Sequence, residues 1–227
     1  LGIPITVIGA GAIGSFTALA LAKMGFSEIV VHDFDRIEEE NMNCQFYRHT
    51  DVGRPKVEAL RDLIESFTEV KIGVRGKYDG GAIPGIVIAA VDSMTVRKLI
   101  WDNHRGKAAA TIAIVDPRMG AEEALLYCMN PMDPNDQASY EKTLYTDDAA
   151  VQERCTAKST VYTACLLSGL VAKTVKDLAT GFAKYPRISH WSIKNNHLVT
   201  WSKPGIVSAE VKSETTETPP APIEATA

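Results

Sequence analysis

Gly9, Gly11 and Gly14 stand in the run Gly9-Ala10-Gly11-Ala12-Ile13-Gly14, directly after the strand-like Pro4-Ile5-Thr6-Val7-Ile8. A strand followed by GxGxxG and then a helix lets the backbone turn tightly and come close to a phosphate. The phosphate would sit over Ala12 at the start of the helix, where unpaired N–H groups and the helix dipole favour negative charge. Asp33 follows Gly14 by 19 residues, at the end of a second strand-like run, Glu28 to His32. An acid at that spacing can accept from ribose hydroxyls. Together these residues indicate a nucleotide site, without saying which nucleotide.

Further polar residues could carry chemistry on such a nucleotide: Asp35, Asn41, Gln45, Arg48, Lys56 and Asp92. Read alone, each has a plain structural role as well. Lys56 after Pro55 can be a solvated lysine in the first turn of a helix. Asp92 can cap the helix that starts near Ser93, or Ser93 can do so itself, and Asp35 can cap a turn. Cys155 lies between Arg154 and Lys158, just ahead of a long apolar helix. Nearby positive charge and a helix N-terminus lower a thiol's pKa and make it nucleophilic, although an unpaired cysteine is also often just a small buried hydrophobe. Cys128 and Cys165 sit among apolar residues and are expected in the core. Arg118, in Asp116-Pro117-Arg118-Met119-Gly120-Ala121-Glu122, either shapes a groove near the site or belongs to a structural turn.

The elements needed to position these groups alternate along the chain. Strands are expected at 5–8, 29–33, 70–74, 86–91 and 110–115, and helices at 13–24, 55–66 and 93–103. That order predicts βαβ units, hence an α/β, Rossmann-like, mostly parallel sheet with helices on both faces. Ile86 to Val91 is almost wholly apolar, as a strand buried on both faces should be. A further strand is expected at 122–129, a loop-rich stretch at 130–154 and an apolar helix at 160–178. A terminal hairpin around Asn195-Asn196 would extend the sheet with antiparallel strands. The domain reading is one unit over 1–207, its nucleotide half about 1–116 and a crossover part about 117–207. The tail 208–227, rich in Glu, Thr, Pro and Ala, is expected to be disordered.

Composition narrows the classes further. With 227 residues, 45% of them hydrophobic, the chain can bury a full core. A net charge of -4 argues against binding nucleic acid through its phosphates. No apolar run of 18 residues exists, so no membrane partner is expected. The four cysteines form no CxxC pair, which predicts neither a disulfide framework nor a structural zinc and points to the cytoplasm. The chain opens on Leu1-Gly2-Ile3, without Met and directly on a strand, which suggests that a segment precedes it.

Gly9–Gly14, Asp33-Phe34-Asp35, Asn41, Gln45, Gly53-x-Pro55-Lys56 and Val91-Asp92-Ser93 followed by Arg97 resemble the ThiF/MoeB/ubiquitin-activating superfamily over roughly 3–181. The resemblance implies ATP-dependent adenylation of the C-terminal carboxylate of a ubiquitin-like or sulfur-carrier protein ending in glycine. By that resemblance Asp33 holds the ribose, Lys56 bridges the triphosphate, Asn41 positions the phosphates or the ribose side, and Asp92 binds Mg²⁺. Gly9, Gly11, Ala12, Gly14, Asp35 and Gln45 would complete the ATP site. Cys155 would be the reactive cysteine of the crossover loop, passing the acyl group on as a thioester or serving in persulfide-type transfer. A homodimer and a conjugating enzyme are implied as partners, and a further arginine is expected ahead of Leu1.

One departure stands out. Members carry Asn-x-x-Arg-Gln where this chain reads Asn41-Met42-Asn43-Cys44-Gln45, so Cys44 replaces an arginine. Arg48, three residues past Gln45, is the candidate to supply that cation to the β- and γ-phosphates. The substitution keeps open a non-catalytic partner subunit of such an enzyme. An NAD(P)-dependent oxidoreductase rests on the glycine turn and Asp33 alone, and leaves Lys56 and Asp92 without a task.

Overall fold

The computed structural model describes residues 2–107, 110–146, 160–181 and 187–201. Eight strands form one sheet in the order β3-β2-β1-β4-β5-β6-β7-β8. The parallel part comprises β1 (Ile5–Ile8), β2 (Ile29–His32), β3 (Gly73–Arg75), β4 (Gly85–Ala89) and β5 (Thr111–Gly120). From β5 onward the pairing is antiparallel through β6 (Glu123–Met129), β7 (Ile188–Ser192) and β8 (His197–Trp201). The helices are α1 (Ala12–Lys23), α2 (Lys56–Phe67), α3 (Met94–His104), α4 (Pro134–Tyr140) and α5 (Val161–Ala179). The predicted α/β architecture, with its antiparallel extension, is the one observed.

Side chains alternate across the pleat and thereby build two cores. Ile5, Val7, Ile86, Ile88, Ala113, Val115, Ala124 and Leu126 point to one face, where α1, α2 and α5 cover them. Ile8, Val87, Ala89, Ile114, Tyr127 and Met129 point to the other, against Ile100 and Trp101 of α3 and Tyr140 of α4. Because β1 neighbours both β2 and β4, connections leave it in opposite directions. The strand order therefore reverses at β1/β4, and a crevice opens at the C-terminal ends of these strands.

Several boundaries differ from expectation, each for a physical reason. β5 runs five residues further than predicted, through Asp116, Pro117 and Arg118, which read as a turn. β4 stops pairing after Val115, and a proline is tolerated on such an open side while Pro117 stays in register with Leu126 of β6. The stretch expected to be loop contains α4, which Asp133 caps by accepting from the Asn135 N–H at 2.8 Å, with Pro134 in the first turn. β3 is shorter than predicted, starting only at Gly73.

Cys165 is a correction: it is exposed, not core. The buried stripe of α5 is Thr163, Ala164, Leu167, Ser168, Val171, Ala172 and Val175, a 3.6-residue repeat that leaves position 165 on the outer face. Cys128 is buried as expected. The expected tail over 208–227 lies outside the described residues.

Candidate functional site

The glycine turn forms the floor of the crevice. Gly9 adopts φ +99, and a Cβ there would lie 2.2 Å from the Ala90 carbonyl oxygen, so only glycine lets β1 and β4 close together. A Cβ on Gly14 would lie 1.9 Å from the Gly9 carbonyl oxygen. Gly14 is thus the residue that lets α1 fold back on the turn, and it stands behind the crevice without lining it. Gly11 differs: a Cβ there would point into open space, where a ligand can approach the backbone. Gly11 caps α1 with no side-chain hydrogen bond, leaving the helix's first N–H groups to an anion.

Asp33 directly follows β2 and is fixed by two backbone donors. The Ala10 N–H donates to one carboxylate oxygen at 2.7 Å and the Asp35 N–H to the other at 2.8 Å. Asp33 therefore ties the glycine turn to β2 and presents its remaining lone pairs to the crevice. Tyr47 joins the same unit from the other side, its hydroxyl donating to the Ala10 carbonyl at 2.6 Å. Burial, and then the charges of Asp33, Asp35 and Asp51, push the Tyr47 phenol far up, so it stays a donor.

Lys56 is delivered by a short antiparallel link between 35–37 and 53–56. The Ile37 N–H donates to the Arg54 carbonyl at 2.9 Å and the Lys56 N–H to the Asp35 carbonyl at 2.9 Å. Its ammonium then donates to Asp35 at 2.9 Å, with the lysine side chain 9% exposed and the aspartate side chain 49% exposed. A cation held in that way is not the solvated lysine of an ordinary first turn.

The crevice enclosed by these groups measures about 1200 Å³. Of the predicted residues it brings together Gly9, Gly11, Ala12, Asp33, Asp35, Gln45, Lys56 and Asp92. The Gln45 side-chain oxygen is buried with no hydrogen-bond partner among the described residues. Asp92 lies just past β4 on the same wall. Among the described residues no three acidic, histidine or cysteine side chains gather as a metal cage. A lone carboxylate suits Mg²⁺ that arrives on nucleotide phosphates.

Asn41 and Arg48 do not line this crevice. The Asn41 side-chain oxygen accepts from the Glu38 N–H at 3.0 Å and closes the turn over Glu39–Asn43. Arg48 donates to Asp51 at 2.9 Å and lines a separate recess of about 270 Å³ with Phe46, Leu63 and Phe67. Cys44, standing where arginine was expected, does line the crevice. Cys155 lies outside the described residues.

Sequence reading left one part of the site almost unseen: a buried hub at Asp116. Its carboxylate accepts from Arg97 at 2.9 Å, from Arg118 at 2.8 Å and from the Tyr140 hydroxyl at 2.8 Å. Arg97 also donates to the Val91 and Asp92 carbonyls, which fixes the loop that carries Asp92. Arg118 reaches the Thr143 carbonyl at 2.9 Å and lies over the Tyr127 ring at 4.5 Å. Burial works against the Arg118 charge, but Asp116, together with Tyr140 and Tyr127, raises the guanidinium above its ordinary value. The signal available in the sequence was the spacing of Asp116 and Arg118, two apart and so on one face of a strand. It was missed because the strand was ended too early.

Comparison with known proteins agrees with this geometry. Residues 3–76 match the ThiF family. Ubiquitin-like modifier-activating enzyme 5 of Caenorhabditis elegans is 39% identical over 71 residues, covering 31% of this chain and 17% of the relative. The NEDD8-activating enzyme E1 catalytic subunit of Arabidopsis thaliana is 46% identical over 70 residues, covering 30% and 15%. The matches thus span well under a third of these relatives' lengths. Among solved structures, the microcin C7 biosynthetic enzyme MccB in complex with N-formylated MccA aligns with TM-score 0.71 at 14% identity, covering 91% of this chain and 67% of that one. PaaA aligns with TM-score 0.66 at 20% identity, covering 87% and 63%. At such identities the structural likeness establishes the shared fold. No helix among the described residues is long and apolar enough to cross a membrane.

Proposed function

We propose that this ThiF-family chain adenylates the C-terminal carboxylate of a ubiquitin-like or sulfur-carrier protein, using Mg·ATP. The observation that carries the reading is Lys56. A nearly buried lysine, paired with Asp35, lines the same crevice as the glycine turn and Asp92. A hydride-transfer enzyme needs neither group, whereas attack on the α-phosphate of ATP needs cations and a metal-holding carboxylate around a polyanion.

In this reading Asp33 and Gln45 hold the ribose, the Gly11–Ala12 backbone and Lys56 hold the phosphates, and Asp92 holds Mg²⁺ as it arrives with the nucleotide. Arg118 and Arg97 give the wall beyond Asp92 a positive potential that attracts the acyl carboxylate. A carboxylate oxygen attacks the α-phosphorus, the bond to the bridging oxygen breaks, and pyrophosphate leaves with that electron pair. The product is an acyl adenylate. Transfer to Cys155 would follow by attack of its thiolate on the acyl carbon, with AMP leaving. Asn41 and Arg48 would serve the phosphates only after leaving their present partners, Glu38 and Asp51. We further propose a homodimer in the cytoplasm, with a conjugating enzyme as an additional partner.

The test is ATP–pyrophosphate exchange with a candidate carrier protein ending in Gly-Gly. Exchange that requires the carrier and is lost in both Lys56→Ala and Asp92→Ala supports the reading; ATP binding without exchange for any carrier would end it. A second reading, a non-catalytic subunit, draws on Cys44 in the crevice and on Arg48 held by Asp51 outside it. Binding of ATP that Cys44→Arg converts into exchange would favour that alternative.

A further inference from the structure

The crevice extends past the nucleotide groups onto the antiparallel part of the sheet, and its charge changes sign there. The lining includes Tyr127, opposite Asp116, and Leu125, opposite Arg118, and beyond that pair it reaches Glu123. Glu123 and Leu125 lie two apart on β6 and so share a face, and Leu125 is in register with Arg118. Glu123 is therefore about 7 Å further along that face than the Arg118–Leu125 pair.

The Glu123 carboxylate is built into place. One oxygen accepts from the Ser192 hydroxyl at 2.7 Å and the other meets His190 Nε2 at 2.8 Å. Asn195 in turn donates to the Ser192 hydroxyl oxygen at 2.9 Å. These bonds to Ser192, followed by His190 and the nearby Lys194 charge, hold the carboxyl below the usual carboxylate range despite some opposing burial. The side chain remains 46% exposed, so lone pairs are left for a ligand.

At β6 the backbone offers nothing to an incoming strand, whereas the edge of β5 past Val115 is open. β6 is hydrogen-bonded to β5 on one side and β7 on the other. A chain segment that reaches Glu123 lies across the face of β6 there and is recognised through side chains. Along that face a positive wall meets an apolar floor and then a fixed carboxylate.

We propose that Glu123 reads a lysine or arginine side chain on the acyl substrate, about two or three residues before its terminal carboxylate, the spacing an extended chain needs to cover the step from Arg118 to Glu123. The inference rests on the adenylation reading for the identity of the substrate, but the recognition can be measured without turnover.

The probe is a set of fluorescent synthetic peptides ending in Gly-Gly, with Lys, Gln or Glu placed in turn at each of the three preceding positions. Binding is followed by polarisation in the presence of an ATP analogue. A lysine at one position should tighten binding about fivefold over glutamine, the scale of a half-exposed ion pair. Glu123→Gln should erase that preference, and Glu123→Lys should turn it toward the glutamate peptide. Thermal melts of both variants check that the fold is kept. A lysine preference that survives Glu123→Gln, no preference at all, or no peptide binding would each overturn the proposal. Pyrophosphate exchange with the same peptides separately tests the adenylation reading, so a lysine preference without exchange would refute that reading and leave this recognition standing.

Discussion

Asp116 and Arg118 lie two apart on β5 and meet at 2.8 Å, while the second oxygen of the same carboxylate receives Arg97 at 2.9 Å. One fully buried acid thus serves two guanidinium groups that are 6% and 10% exposed. Asp116→Ala would leave both cations without a counter-charge in the protein interior. The expected cost is about 3–5 kcal/mol, the range for breaking a buried pair by removing one partner. Replacing Arg97 and Asp116 together by apolar residues of similar volume should recover much of it. Urea denaturation of the single and double variants measures both.

Lys56 is expected to matter for chemistry far more than for stability. Its partner Asp35 is half exposed, so Lys56→Met leaves a carboxylate that water can solvate. Stability should change by less than about 1 kcal/mol, while pyrophosphate exchange should fall by about 10²–10³, as for loss of one preorganised donor. An equal loss of both would show that Lys56 is only a structural ion pair.

Gly11 and Gly14 should part company when each is changed to alanine. Gly14→Ala forces a methyl against the Gly9 carbonyl, and the contact is with backbone that cannot step aside. Gly11 has a negative φ and open space where its Cβ would be, so Gly11→Ala should fold normally. Its methyl would occupy the approach to the α1 N-terminus and weaken nucleotide binding. Thermal melts should therefore single out Gly14→Ala, and titration with an ATP analogue should single out Gly11→Ala.

Most of the parallel sheet could be read from periodicity, because a strand buried on both faces, such as Gly85–Ala89, is an unbroken apolar run. Gly9 and Asp33 were legible because a tight strand-to-helix turn and an acid at the end of the second strand leave few other residue types, whereas Lys56 was legible only through the family resemblance. The Asp116 hub was not, since its three partners come from β5, α3 and α4, and α4 itself was read as loop. Cys165 failed for a different reason. Its neighbours Leu166 and Leu170 are apolar too, so residue type alone could not say which side of α5 faces the core.

The cysteines give a direct check on that face. In the native protein Cys165 should react with a maleimide. Cys128, wholly buried and with its thiol pushed up to about 12 by desolvation, should react only after unfolding. Peptide mapping by mass spectrometry reads each site separately. Labelling of Cys128 before Cys165 would contradict the packing of β6 and α5.

His104 should make the protein sensitive to mild acid. The ring is fully buried, its Nδ1 lies 2.6 Å from the Ile100 carbonyl, and its Nε2 accepts from the Ile83 N–H at 2.9 Å. Only the neutral Nδ1–H tautomer satisfies both contacts; a second proton on Nε2 would face the Ile83 donor. Burial accordingly lowers the folded-state pKa, with the Ile100 contact opposing it. The unfolded chain then takes up the proton first, so the stabilisation is complete above the unfolded value of about 6.5 and declines as pH falls from there toward the folded pKa. His104→Gln can keep the Ile83 bond and cannot titrate. Across pH 7 to 5 the urea midpoint of the wild type should drop more steeply than that of the variant; parallel curves would mean that His104 does not titrate on unfolding. His32, also lowered chiefly by burial, titrates in both proteins and cancels from the comparison.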